Sequence, residues 1–356
     1  MSAGDDLAHR AVPNDPGAVI PFTVVERLCR AQGIEAMAVI PAPEELDGAD
    51  FAQMLQDGVG DMDWLVRQQE LRRHPRRLLP GATRLLCTAL PYHAEHTPAG
   101  CEQEPAGLRR ARYAAGSDYH HLYRRRLAAI GDALDAQGRP GWVHRALVDS
   151  APLNERQLAR RAGLGWIGRN ALLISPATGS YRFLGYLLTS APLAEHIAGL
   201  GEDRCGRCTA CETRCPTRAL TGRRVLSERC ISYLTIEHQG VISKALAAVF
   251  EGWWYGCDLC QEACPWNRMA PAAGDARLRG DEPSARQLLA VRVHDFDQVF
   301  AGRAMRRIGY TRYRRNLLVA LFSLGRLDEA RQLLAASPEL ALVQAQGVEL
   351  GVAPEG

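Results

Sequence analysis

The chain has 356 residues, 47% of them hydrophobic, and a formal net charge of +3 at pH 7. That length suits two or three domains with sizeable cores, and no apolar run approaches the length of a membrane span. Lys244 is the only lysine among 43 basic side chains, so cationic recognition rests on arginine forks, which match phosphate and carboxylate geometry better than an ammonium does.

Residues 1–20 are rich in Pro, Gly and Asp, lack apolar periodicity and read as a flexible arm. No apolar signal segment precedes Pro21, which points to the cytoplasm. From Pro21 to Leu200 the apolar pattern predicts helices near 21–32, 49–56, 61–72, 117–137 and 154–163. Strands are predicted near 34–40, 83–90, 142–148, 170–175 and 181–190, the last two flanking a hairpin turn at Ala177-Thr178-Gly179-Ser180. Residues 21–200 therefore read as an α/β domain carrying the catalytic site. Residues 201–275 form a compact cysteine-bearing module, and 276–356 a short array of helices with apolar positions at three-to-four spacing. The fold class of the whole is α+β.

Eight of the eleven cysteines are grouped: Cys205, Cys208, Cys211 and Cys215 in CGRCTACETRCP, then Cys257, Cys260 and Cys264 in CDLCQEACP, with Cys230 between them. A CxxCxxCxxxCP run is the bacterial ferredoxin arrangement, in which the fourth cysteine crosses to the other cubane. Two [4Fe-4S] clusters need eight thiolates, and the count closes only if Cys230 supplies the one missing from the second run. Cys205, Cys208, Cys211 and Cys264 then hold one cluster, and Cys215, Cys230, Cys257 and Cys260 the other. A pair of four-cysteine zinc sites is the main alternative, although zinc knuckles are usually two separated CxxC pairs. Disulfides require an oxidising compartment. Cys29, Cys87 and Cys101 read as core or spectator thiols.

Two clusters deliver electrons, and the site that receives them must lie upstream. Its polar motifs are densest in Arg112–His120 (RYAAGSDYH), where Asp118, Tyr119 and His120 open a helix, and at Asp149, which ends the strand WVHRALVD. The segment AGLGWIGRN places Trp166, Arg169 and Asn170 among three glycines, which suits either close packing or backbone approach to a flat ligand. Asp118 equally fits a helix start, Asp149 a turn or helix entry, and Ser232 and Tyr233, just past Cys230, another helix start.

These motifs, together with RRHPRRLLPG from Arg72 to Gly81, VDSAPLNE, CISYLTIEH and the RRN of Arg314 to Asn316, resemble the epoxyqueuosine reductases. The resemblance runs from about residue 20 to residue 330 in matching order. It implies a nitroreductase-like domain, related to that of reductive dehalogenases, that binds cobalamin base-off. It also implies a ferredoxin-like module with two [4Fe-4S] clusters and a short HEAT-like helical C-terminus. The implied activity is reduction of epoxyqueuosine to queuosine in the anticodon loop of tRNA, with Asp149 as proton donor. Cofactor contacts are implied at Arg72, Tyr113, Asp118, Tyr119, His120, Asp149, Trp166, Arg169, Asn170 and Ser232. Tyr123 stands where a DxHxxG cobalt-ligand motif would need glycine, in keeping with a base-off corrinoid.

Arg306, Arg307, Arg312, Arg314 and Arg315, interleaved with Tyr310 and Tyr313, are expected to contact tRNA, although a solvated helix end has the same composition. The expected partners are the tRNA and a low-potential electron donor, with no membrane, and the chain is expected to act as a monomer. Two positions depart from the family pattern: Arg169 replaces its usual lysine, and Tyr186 replaces the glutamate of its LGE. Two other functions share parts of this pattern. One is a corrinoid iron–sulfur reductase of another substrate, such as an organohalide; the other is a ferredoxin-type carrier with no catalytic site.

Overall fold

The computed structural model describes residues 18–93, 107–136, 141–280 and 283–352. Four antiparallel strands form the main sheet, in the spatial order Ala36–Pro41, Arg84–Pro91, Arg182–Thr189, His144–Val148. The register pairs Ile40 with Leu85, Leu85 with Leu188 and Leu147 with Tyr186. Side chains of a strand alternate between faces, and here both faces are covered. Ala38, Ile40, Leu85, Cys87, Leu147, Tyr186 and Leu188 pack on Leu158, Ala159 and Ala162 of the helix Glu155–Arg161. Met37, Val39, Leu86, Val148 and Leu187 pack on the helices Phe22–Ala31 and Tyr119–Asp135. Burial on both sides explains why the strands read as unbroken apolar runs.

Two expectations change. Ile20, assigned to the flexible arm, is fully buried and exchanges backbone hydrogen bonds with Pro192 and Ala194, which anchors the chain at the sheet edge. The turn at Ala177–Ser180 exists, closed by paired bonds between Ser175 and Gly179, but it does not join two strands of one hairpin. Leu173–Ile174 pairs instead with Trp166–Ile167, while Arg182–Thr189 enters the main sheet. Cys29 and Cys87 are buried in the core as expected; Cys101 lies outside the described residues.

The cysteine module is fastened to this sheet domain by a short parallel ladder, Trp253–Tyr255 beside Arg109–Arg110, with the Arg109 guanidinium 4.3 Å from the Trp253 ring. Buried Asp258 accepts from the Arg112 amide at 2.7 Å, and Asn267 accepts from the Ser180 amide at 2.7 Å. On its other side the module shares one hydrophobic core with the C-terminal helices, from Ile231, Trp254 and Tyr255 to Leu317, Leu333 and Val343. Residue 275 is thus no break in packing. Among the described residues no helix is long and apolar enough to cross a membrane.

The helix Gly309–Ser323 is central to that core and buried on all sides from Tyr313 to Leu321. Its RRN sequence faces inward, which corrects the assignment of Arg314 and Arg315 to a tRNA surface. Arg315 is fully buried and donates to the carbonyls of Leu234, His238 and Gly240, at and beyond the end of the helix Ile231–Ile236. Asn316 donates to Thr235 O at 2.7 Å, and Arg314 bonds Ser337 and the carbonyls of Leu289 and Leu333. Helix-end carbonyls carry partial negative charge and lack partners of their own, so an inward guanidinium fork satisfies several at once. Replacing Arg315 with Met, similar in length but with no donor, should orphan those carbonyls at a cost of about 2–3 kcal/mol or more. The expected result is a lower urea midpoint with an unchanged slope.

Candidate active site

The helix Tyr119–Asp135 starts where Asp118 accepts the His120 amide, an N-cap that aims the next two side chains toward the end of the strand His144–Val148. There the carboxylate of Asp149 accepts from the Tyr119 hydroxyl at 2.7 Å and lies 2.9 Å from His120 Nε2. The other ring nitrogen of His120 is 2.6 Å from Asp118 Oδ1, so the imidazole bridges two carboxylates. Burial opposes its charge, but the bonds to Asp118 and Asp149 prevail and push the pKa up to about 9. For Asp149 burial favours the neutral form, yet the bonds from His120 and Tyr119, with the charges of His120 and Arg307, hold it below the usual carboxylate range. Both shifts favour a charged His120 beside an ionised Asp149.

The Asp149 side chain is 49% exposed, so solvent reaches the carboxylate. Its backbone has φ +35°, a left-handed conformation unfavourable for a non-glycine residue. Its amide donates to Glu155 Oε1 at 2.7 Å. Burial, and then repulsion from Asp149, raises the Glu155 carboxyl above its normal range, although Arg72 and Arg156 oppose this. Arg72, 8% exposed, donates to Leu153 O at 2.7 Å in the same loop, and its Nε has no partner among the described residues.

Tyrosines line the neighbouring wall. Tyr119 stacks on Phe183 with centroids 3.8 Å apart, Tyr113 meets Tyr119 edge-on at 6.2 Å, and the hydroxyls of Tyr113 and Tyr255 are hydrogen-bonded. Arg307 reaches this group from the C-terminal region, bonding Glu237 at 2.8 Å and acting on Tyr255, Tyr113 and Asp149. Beyond Asp118 lies a cavity of about 1280 Å³ lined by Ser117, Asp118, His121, Arg125, Thr178 and Arg182, among others. Arg182 Nε and Thr178 Oγ1 are buried there without a partner among the described residues.

No disulfide joins any of the ten described cysteines. Electrostatic coupling joins Cys264 to Cys205 and Cys208, and Cys211 to Cys264 and Cys205. A second group joins Cys230 to Cys215, Cys257 to Cys230 and Cys260, and Cys260 to Cys230 and Cys215. One link runs across the two groups, Cys260 to Cys211. Burial, then mutual repulsion, raises the thiols of Cys257 and Cys260, and burial dominates at Cys211, Cys230 and Cys264. Bound cations would offset that cost.

N–H donors point at the sulfurs. Trp166 Nε1 lies 3.4 Å from Cys205 Sγ, the Ala219 amide 3.3 Å from Cys215 Sγ, and the amides of Ser232 and Tyr233 serve Cys230. Such a shell suits thiolates and tunes cluster potential. Among the described residues no three His, Cys, Asp or Glu side chains converge on a single-ion site.

The structure brings Tyr113, Asp118, Tyr119, His120, Asp149 and Arg72 together and sends other expected residues elsewhere. Trp166 packs against Trp266 and Cys205, and Arg169 bonds Gly206 O and pairs with Glu212, so both serve the first cysteine loop. The nearby glycines are close-packing positions: a Cβ on Gly165 would lie 2.1 Å from Ile174 O. Asn170 is 3% exposed, with Nδ2 unpartnered. Ser232 contributes its amide to Cys230. Arg312 is spent on the carbonyls of Ile308 and Ile236, while Arg306 and Arg307 remain exposed. Glu155, Tyr255 and Glu237 were missed, though Glu155 closes VDSAPLNE and Tyr255 precedes Cys257 by two residues.

Residues 72–150 match the family "Epoxyqueuosine reductase QueG, DUF1730", and residues 204–267 match a 4Fe-4S double cluster binding domain. An epoxyqueuosine reductase of Pseudomonas aeruginosa is 39% identical over 322 residues, 88% of either chain. A crystal structure of epoxyqueuosine reductase with an epoxyqueuosine-modified tRNA-Tyr stem loop aligns over 93% of this chain and 89% of its own, with 26% identity and a TM-score of 0.78. The Bacillus subtilis epoxyqueuosine reductase, solved with its catalytic aspartate loop swung out of the active site, aligns over 93% of this chain and 90% of its own at 25% identity and a TM-score of 0.75.

Proposed function

The chain belongs to the epoxyqueuosine reductase family, and on that premise we propose that it reduces epoxyqueuosine to queuosine in the anticodon loop of tRNA. The observation that carries this reading is the half-exposed carboxylate of Asp149, held by Tyr119 and His120, in a chain that also carries a module for two clusters. A bare electron carrier would have no use for that constellation.

The residues present fit both cofactors. Cys205, Cys208, Cys211 and Cys264 would hold one [4Fe-4S] cluster and Cys215, Cys230, Cys257 and Cys260 the other, supported by their grouping and their N–H···S donors. For a base-off cobalamin, the unpartnered Nε of Arg72, beside the Asp149 loop, would offer a donor to its amide rim. Both nitrogens of His120 are committed to carboxylates, which supports a corrinoid held without a protein imidazole. The cavity beyond Asp118, with Arg182 in its lining, has room for an extended anionic arm. When bound, these groups supply the two low-potential electrons that loss of the epoxide oxygen requires.

The chain's own residues supply the proton. Asp149 and His120 share one, which rests on His120 while water reaches the carboxylate. Filling the site removes that water, penalises both charges and favours neutral His120 with protonated Asp149. Asp149 then faces the departing oxygen as an acid. The pair keeps its proton below the raised pKa of His120 and loses it above, so turnover should fall as pH rises through about 9. A pH–rate profile flat across that value would show that His120 stores no catalytic proton.

In this reading residues 21–200 are the catalytic domain, with a nitroreductase-like sheet, 201–275 the ferredoxin-like module, and 276–356 a HEAT-like helical end. With Arg314 and Arg315 buried, exposed Arg306 and Arg307 are the tRNA contacts that remain of the basic stretch. A low-potential donor feeds the clusters of a cytoplasmic monomer. The test is incubation of cluster- and cobalamin-loaded protein with a low-potential reductant and epoxyqueuosine-containing tRNA. Queuosine should appear by mass spectrometry, and its absence would overturn the assignment.

A further inference from the structure

Asp149 adopts a conformation that its own chemistry disfavours, so something must hold it. A non-glycine residue at φ +35° carries strain that surrounding contacts have to offset. Within the loop the Leu153 amide bonds Ala151 O at 2.8 Å, and the Ala151 amide and Ser150 hydroxyl reach Val148 O at 3.3 Å; none of these bonds involves Asp149 itself. The contacts that fix the loop to its surroundings come from outside. Glu155 Oε1 takes the Asp149 amide at 2.7 Å, Arg72 takes Leu153 O at 2.7 Å, and the Tyr186 hydroxyl donates to the backbone carbonyl of Glu155.

Tyr186 is fully buried and stands in the strand Arg182–Thr189, paired on both edges with neighbouring strands. It is as immobile a support as this fold offers. The contacts therefore run from the sheet to the carbonyl of Glu155, from the carboxylate of Glu155 to the amide of Asp149, and from Asp149 to His120 and Tyr119. The groups that face the Glu155 carboxyl electrostatically are Asp149, Arg72 and Arg156, with Tyr119 and Tyr186 also within its field.

We propose that Glu155, anchored by Tyr186, is the latch that keeps the Asp149 loop turned in to the site, and that Asp149 meets His120 and Tyr119 only while the latch is closed. Glu155 is a positioning residue that touches no reacting atom. This deepens the assignment of Asp149 as proton donor and rests on it for its catalytic consequence, whereas the latch itself is a conformational claim that stands or falls separately. Loss of Glu155 should allow the loop to open, with the amide of Asp149 exposed to water and the carboxylate withdrawn from His120.

Backbone amide hydrogen exchange in the full-length protein tests this without reference to turnover. In Glu155→Ala, exchange across Asp149–Leu153 should rise ~10-fold, the opening that corresponds to losing one ordinary hydrogen bond. Glu155→Gln keeps an acceptor oxygen and should restore most of the protection, and Tyr186→Phe should fall between the two. Exchange in the strand Arg84–Pro91 reports on global folding and should stay as in the wild type. Equal protection of Asp149–Leu153 in wild type and Glu155→Ala would overturn the latch, as would Gln behaving like Ala. If wild-type protein makes no queuosine yet the exchange pattern holds, the functional assignment fails and the latch survives.

Discussion

Asp149→Asn should reduce queuosine formation by ~10²-fold or more while iron content and cobalamin binding stay close to wild type. Asparagine is nearly isosteric and its oxygen still accepts from Tyr119, so the site keeps its shape. What is lost is the acid. A second effect follows from His120, whose raised pKa depends partly on the Asp149 carboxylate. Without that charge the histidine should titrate at lower pH, so any residual activity should decline at a lower pH than in the wild type. NMR titration of the His120 ring checks that shift apart from catalysis. Turnover equal to wild type would place the proton source elsewhere, and an unmoved histidine pKa would show that Asp118 alone sets it.

The second large effect belongs to Cys230. Cys230→Ser should remove one cluster and spare the other, with iron falling from about eight to about four per chain. The reason lies in its setting. Cys230 begins the helix Ile231–Ile236, its sulfur receives amides from Ser232 and Tyr233, and its coupling is to Cys215 and Cys257. That helix is also the one whose end Arg315 and Asn316 clamp, so the backbone should hold its place when the sulfur is gone. Electron delivery then stops and queuosine formation with it. A full iron complement in the variant would show that another residue is the eighth ligand. Loss of all iron would mean that the two clusters assemble only together.

Much of this site was legible in the residues. The double-cluster module was legible in the cysteine spacing, because a cubane needs four thiolates and a short run can supply only part of two. The sheet was legible too: the segments around 34–40, 83–90, 142–148 and 181–190 are strands within two residues of where the pattern put them. Asp118, Tyr119, His120 and Asp149 were named separately, and helix capping at Asp118 brings them together.

Other features were open to opposite readings. Arg314 and Arg315 sit in a basic, aromatic stretch that would serve equally on a surface. Arg315 is buried because a helix some eighty residues away in the sequence ends against it with unsatisfied carbonyls, and Arg314 because Leu289, Leu333 and Ser337, from the segments flanking its own helix, surround it. Trp166 and its glycines could have faced a ligand; their partners proved to be Ile174, Trp266 and Cys205. Tyr186, a departure from the family pattern, acquires meaning only when its hydroxyl is seen to meet Glu155.

The sequence by itself determined that the chain carries a double-cluster module and which carboxylate ends a strand beside a helix start, because cysteine spacing and strand periodicity are local properties. Only the tertiary structure decided where charge resides. The same Asp149 is a weak acid or an ionised carboxylate depending on His120, Tyr119, Glu155 and Arg307 around it. Those partners come from distant parts of the chain, and electrostatic energy depends on distances and solvent access that only the fold sets.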